Sequence, residues 1–328
     1  MDTQATHTVE RSRIGYIDIY RAIGIMLMVI GHTAISLTTM TYIMSFHMPM
    51  FFFISGFLFR GNRPWKPYII KKFRTLVVPY LAFGIIAITI VYFGKPSVFP
   101  QKLSAFLVYS TEEYPLATAM WFLAALFVSN VVFFVIDRVN NNIIKTLVIV
   151  VLAVFGEVFT HLTNIVLPYA IGPALVGVGL MHIGRLMRPY EQQLVSLKSY
   201  VVIYLAILGA ALSLIEGCVS MRSGTYPNII LFWVVAVINI VVMLNVASFL
   251  DKRLKQGPIW QYLVKLGQNA IVYVMFNQQC IKAAEVVANR LKPTIIQQPV
   301  CFLLAMILLY CCTEFVTRTK LRWFIGKD

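Results

Sequence analysis

Apolar residues run along this chain in long blocks, without the strict alternation of a half-buried strand. Ten blocks approach membrane-spanning length, at 22–40, 43–59, 73–93, 120–136, 143–159, 165–187, 200–216, 229–249, 266–287 and 299–316. A helix needs about 20 apolar residues to cross the hydrocarbon core. The pattern therefore predicts an all-α fold, a polytopic transmembrane helical bundle of about ten spans. Pro168 and Pro173 are expected to kink the sixth span. The ninth carries Gln268, Asn269, Asn277, Gln278, Gln279, Lys282 and Glu285, so it must face a bundle interior, an aqueous cavity or the interface. No internal repeat stands out, and the expectation is one integral-membrane domain over 1–328, with tails at 1–15 and 318–328.

Composition agrees with the pattern. Of 328 residues, 59% are hydrophobic and 12% charged, where soluble domains carry about 25% charged residues. A net charge of +15 raises the question of nucleic acid, which the placement of the charges answers. They cluster between apolar blocks, as at Arg60–Arg74, Arg185–Lys198, Lys252–Lys265 and Arg318–Lys327. With both termini in the cytoplasm, 22 Lys and Arg fall on the inner side and 5 on the outer. That is the signature of cytoplasmic loops, so both termini are expected inside, in the cytoplasmic (inner) membrane, with no nucleic-acid partner. The first twenty residues hold Asp2, Glu10 and Asp18 and no apolar core, so no cleavable signal is expected. The five cysteines show no metal-ligand spacing, and no metal is implied.

Arg21 and His32 on the first block call for a chemical explanation. Eleven residues on a helix bring them within about 20° of one face and roughly 16 Å apart along the axis. A cation near one membrane surface and an imidazole half-way through the hydrocarbon are expensive to bury. Imidazole accepts a hydroxyl proton near neutral pH, which makes His32 the leading catalytic candidate; the plain alternative is a polar group hydrogen-bonded inside a bundle. Arg21 can hold a phosphate or a carbonyl, anchor the helix, or pair with Asp18 at i,i+3. Asp18 either orients Arg21 or caps a helix. The short link between the first two blocks predicts a tight hairpin. His47 then lies about one turn into the second helix, where it would orient an acceptor hydroxyl, assist His32 or merely shape the turn. Phe51, Phe52 and Phe53 are expected to pack. The loop 94–119, with Glu112, Glu113 and Tyr114, is expected to cover an outer entrance, and His161 and His182 to be structural.

The stretch Tyr16-Ile17-Asp18-Ile19-Tyr20-Arg21, then Val29-Ile30-Gly31-His32, then the block Phe46 to Phe57, resembles the acyltransferase-3 family of membrane O-acyltransferases. The closest similarity is to the branch described as fucose 4-O-acetylase-like. Trp121-Phe122-Leu123 is similar to the family's WFL segment. Lys71-Lys72-Phe73-Arg74 with Pro79-Tyr80 is similar to the basic start of its third helix. Gly267-Gln268-Asn269-Ala270 with Tyr273 is similar to its late GxNS/T…Y segment. The resemblance implies an O-acyltransferase, specifically an O-acetyltransferase, that uses acetyl-coenzyme A and a hydroxyl of a glycan or lipid-linked saccharide. Catalysis would fall to His32, Arg21, His47 and Asp18, donor binding to Arg21, Lys71, Lys72 and Arg74, and acceptor binding to His47, Ser55 and Trp121. Two departures stand out: Lys71 replaces a family arginine and loses its bidentate fork, and Phe276-Asn277 stands where many members have a histidine. The competing readings are a saccharide or lipid transporter or flippase, and a catalytically reduced scaffold of a polysaccharide assembly system.

Overall fold

The computed structural model describes residues 2–33, 36–111, 114, 116, 118–163, 165–255, 257–292 and 296–326, with the side chains of 2–14, 118 and 161 excepted. Glu112, Glu113, the His161 ring and Lys327 thus lie outside the described residues. The helices are α1 (Asp2–His32), α2 (Leu37–Met44), α3 (His47–Phe57), α4 (Trp65–Lys72), α5 (Val78–Tyr92), α6 (Phe99–Val108), α7 (Trp121–Ile136), α8 (Asn142–Thr163), α9 (Ile171–Met187), α10 (Glu191–Leu194), α11 (Ser199–Glu216), α12 (Ile229–Leu254), α13 (Pro258–Gln268), α14 (Ala270–Ala288) and α15 (Gln297–Arg318). Among the described residues no strand forms; an antiparallel bridge between Ser220 and Thr225 closes a short turn.

By length and composition, seven stretches among the described residues are apolar enough to cross a membrane: Leu37–Phe57, Trp65–Tyr92, Asn142–Thr160, Pro168–Leu194, Ser199–Glu216, Ile229–Leu254 and Gln297–Arg318. The fourth expected span falls on α7, apolar but shorter, and the ninth on α14, where polar residues interrupt the apolar run. The first expected span is corrected. Its helix ends at His32 rather than near Met40, and Ser36 starts the next helix by accepting the Thr39 N–H at 3.2 Å. A serine cap followed by Leu37 is a helix start, and here it falls inside an apolar run that looked continuous. The expected proline kink lies at the start of α9. Tyr169 and Ala170 take left-handed φ values of 55° and 54°, and Pro173 sits in the first turn, where a missing N–H leaves no intrahelical bond unmade.

Two compact units emerge: Met1–Phe51 with Pro189–Val219 and Pro227–Ala270, and Phe52–Arg188 with Ser220–Tyr226 and Ile271–Asp328. In the first, α1 packs along α12 and α13, and α11 packs on α12 and α2. The hydrogen bonds that fasten it come from side chains on these faces. Tyr42 donates to Asn239 Oδ1 (3.1 Å), the Leu197 N–H to Asn245 Oδ1 (3.0 Å) and Trp260 Nε1 to Asp251 Oδ1 (2.6 Å). Such bonds matter where lipid offers no alternative partner.

In the second unit, α9 packs on α7 and α8. Its contact with the α3 residues of this unit depends on glycine. A Cβ on Gly56 would strike the Met181 backbone, and one on Gly184 the Phe53 carbonyl. Small residues let membrane helices approach backbone to backbone. Between α4 and α5, Phe73–Val77 widens into a π-turn in which the Val78 N–H reaches back to the Phe73 carbonyl. Pro79 has no N–H for the Thr75 carbonyl, so a regular α-turn cannot close there. The segment Lys320–Ile325 packs against this π-turn and α5.

Because backbone cannot move aside as a flexible side chain does, Gly56→Val is expected to cost at least about 1–3 kcal/mol in overpacking and to lower the melting temperature of the detergent-purified protein. Gly94, with nothing within 4 Å of an added Cβ, is the control, and Gly94→Ala should melt like the parent.

Candidate functional site

Asp18 is the organising residue of the first unit's polar cluster. Gly267 lies directly against its backbone, so close that an added Cβ would collide with the Asp18 carbonyl. That approach delivers the next residue, Gln268, to the carboxylate. Asp18 Oδ1 accepts from Arg21 Nη1 at 2.9 Å and Oδ2 accepts from Gln268 Nε2 at 3.0 Å. Asp18 is 4% exposed, and a buried charge is tolerable only when paired and hydrogen-bonded. The helix begins at Asp2, so Asp18 sits in its interior and the capping alternative falls away. Arg21 is half-exposed and gives Asp18 one of its five N–H donors through this bond. Neighbouring tyrosines fix the rotation of α1. Tyr20 is fully buried and donates to the Met50 carbonyl (3.3 Å), while Tyr16 donates to Glu191 Oε1 (2.6 Å).

His32 and His47 sit at helix ends. His32 closes α1, half-buried, and the unbroken helix preserves its spacing from Arg21, about 16 Å and nearly one face. His47 opens α3, just after the break at Ser45 and Phe46. Its ring is buried, with Nδ1 2.9 Å from the Ile43 carbonyl. A carbonyl only accepts, so Nδ1 carries the proton and the neutral ring keeps its basic lone pair on Nε2. The two rings are within electrostatic reach of each other.

The remaining expected site residues belong to the second unit. Lys71 and Lys72 form the last turn of α4, and Arg74 stands in the π-turn. Lys72 Nζ lies 5.6 Å from the centre of the Tyr68 ring, and the Arg74 guanidinium 5.9 Å from that of Trp323, whose side chain is 53% exposed. Ser55 donates to Asn130 Oδ1 (3.1 Å), which also accepts from Tyr68 (2.8 Å). Ser55 is therefore tied into a structural network. Trp121 is buried edge-on beside Phe122. At the late position without a family histidine, Asn277 is buried on α14 and its Nδ2 donates to the Val274 carbonyl at 2.6 Å. His182 Nε2 lies 3.0 Å from Thr146 Oγ1, linking α8 and α9.

A family model described as an acyltransferase domain matches residues 14–314. The chain belongs to the acyltransferase-3 family. With its seven apolar stretches, this makes the protein a multi-pass membrane acyltransferase. No curated protein and no solved structure matches the chain.

In this acyltransferase, Gln268 carries a role that sequence reasoning missed. The late GxNS/T-like segment was visible, but not that its glycine meets the Asp18 backbone and its glutamine the Asp18 carboxylate, some 250 residues earlier in the chain. Removing one donor from a buried carboxylate costs about 1–3 kcal/mol. Gln268→Ala is accordingly expected to lower the initial rate of acyl transfer about ten-fold while leaving the protein folded. Gln268→Glu, which sets a second carboxylate against Asp18, should lower it further.

Proposed function

We propose that the protein is an O-acetyltransferase of the cytoplasmic (inner) membrane, with about ten spans and both termini in the cytoplasm. It takes acetyl from acetyl-coenzyme A and delivers it to a hydroxyl of a cell-surface glycan or lipid-linked saccharide. What carries the reading is the Asp18–Arg21 pair, locked on an unbroken helix eleven residues before His32 in a chain of this family. The positive-inside distribution of Lys and Arg supports the orientation, and the similarity of residues 13–60 to the fucose 4-O-acetylase-like branch supports the acceptor class.

In this scheme the guanidinium of Arg21, with Lys71, Lys72 and Arg74, binds phosphate or carbonyl oxygens of the donor through charge-assisted hydrogen bonds. His32 removes the proton from the acceptor hydroxyl. The oxygen attacks the thioester carbonyl, the tetrahedral intermediate collapses with cleavage of the C–S bond, and the imidazolium returns its proton to the departing thiolate. In the second route a ring nitrogen of His32 attacks the thioester carbonyl and the C–S bond breaks to release the coenzyme A thiolate; the acceptor hydroxyl then attacks the acetyl carbon, the N–C bond breaks, and the hydroxyl proton passes to the released imidazole. Both routes need a neutral imidazole at the start. His47, with its basic nitrogen on Nε2, is placed to orient the hydroxyl or to assist His32.

Proteoliposomes given labelled acetyl-coenzyme A and membrane glycan test this directly. Wild-type protein should release coenzyme A only when acceptor is present. His32→Ala should lose at least about 10²-fold of that rate, the scale of general-base catalysis, and Arg21→Lys should lose donor affinity because it keeps the charge but not the fork. Movement of glycan across the bilayer with no donor consumed would make the protein a transporter instead.

A further inference from the structure

Three connections of the second unit meet around a cavity of about 460 Å³. They are the start of the loop after α6 (Tyr109, Thr111), the junction of α8 with α9 (Thr160, Ile165 to Leu167, Gly172 and Pro173), and the turn holding Arg222 and Ser223. By the charge distribution, all three lie on the side opposite the basic loops, where Lys and Arg are sparse. Segments far apart in sequence, and expected on one membrane face, thus build one concavity. Its volume is in the range of ligand sites, about 300–1,000 Å³.

The lining has a specific chemistry. Tyr109, Thr111, Thr160 and Ser223 carry hydroxyls that can both donate and accept, that of Ser223 lying 3.0 Å from Thr225 Oγ1, and Arg222 adds a guanidinium. Leu167 and Pro173 supply an apolar wall. The turn closes on the end of α8 because Gly224, at φ +69°, has no Cβ to meet Thr160. Nearby charge is balanced. Burial, and secondarily the charge of Glu157 one turn before Thr160, pushes the Tyr226 phenol at the end of the same turn well above its ordinary value. A guanidinium, several hydroxyls and an apolar wall in one lining suit a polyol with an apolar C–H face better than an isolated anion.

We propose that this cavity, lined by the hydroxyl-bearing Tyr109, Thr111, Thr160 and Ser223, by Arg222 and by apolar residues of the α8–α9 junction, binds a saccharide unit. As the landing place of the acceptor, it rests on the acetyl-transfer reading given above.

The test separates binding from transfer. Purified protein in nanodiscs is mixed with methyl glycosides of hexoses, 6-deoxyhexoses and hexuronic acids, and saturation-transfer NMR reports contact without any donor. At least one glycoside should show saturation transfer with wild-type protein. That signal should fall about ten-fold, one decade in affinity, in Thr160→Leu and Arg222→Ala, and also in Ser223→Leu, an exposed turn position that guards against misfolding. It should persist in His32→Ala. Silence from every glycoside, signals indifferent to all three cavity variants, or a co-purified phospholipid that only the cavity variants lose in native mass spectrometry would each overturn the proposal. If coenzyme A release is intact and its acceptor KM is unmoved in the cavity variants, the cavity fails and the transferase stands. If glycoside binding is lost in the cavity variants but wild-type protein never consumes donor, the cavity stands and the transferase fails.

Discussion

The first unit is organised by the cost of one buried carboxylate. Asp18 lies inside α1 and almost out of contact with solvent, so both of its oxygens must find donors. One donor comes from its own helix, through Arg21, and the other from α13, through Gln268. The second contact exists only because Gly267 allows α13 to lie against the α1 backbone. Helix packing and side-chain chemistry are therefore one arrangement here. The packing that buries Asp18 also supplies the amide that makes the burial tolerable, and Arg21 is held as a consequence.

Several chemically equipped residues other than Asp18 and Arg21 stand where helices begin, end or change pitch. His32 closes α1, and His47 follows the break between α2 and α3. Arg74 stands in the π-turn that Pro79 forces, and the cavity of the second unit opens beside the left-handed start of α9. Regular helix satisfies its own backbone, which is why it spans lipid. Where it is interrupted, side chains substitute for missing backbone partners. The bond from the His47 ring to the Ile43 carbonyl fixes that ring's tautomer as a by-product.

The helical class and most of the spans were legible in the chain because each is a simple sum of apolar residues. Boundaries at 142, 199 and 229 match the expected starts closely. The end of α1 at His32 was not legible, since the next helix is started by a serine cap at Ser36 rather than by a change of hydropathy. The pairing of Asp18 with Arg21 was within reach of local spacing, as any i,i+3 pair is. Gln268 was not, because periodicity carries no information about which distant helix approaches. Ser55 shows the opposite case: its motif invited an acceptor role, while its hydroxyl is engaged by Asn130.

A double-mutant cycle on the rate of acyl transfer, built from Asp18→Asn, Gln268→Ala and the pair together, tests the central arrangement most directly. If Gln268 acts through Asp18, the double variant should be no slower than Asp18→Asn alone, a coupling of about 1.4 kcal/mol for a ten-fold single effect. Rate losses that multiply, each substitution acting in full on the background of the other, would contradict it.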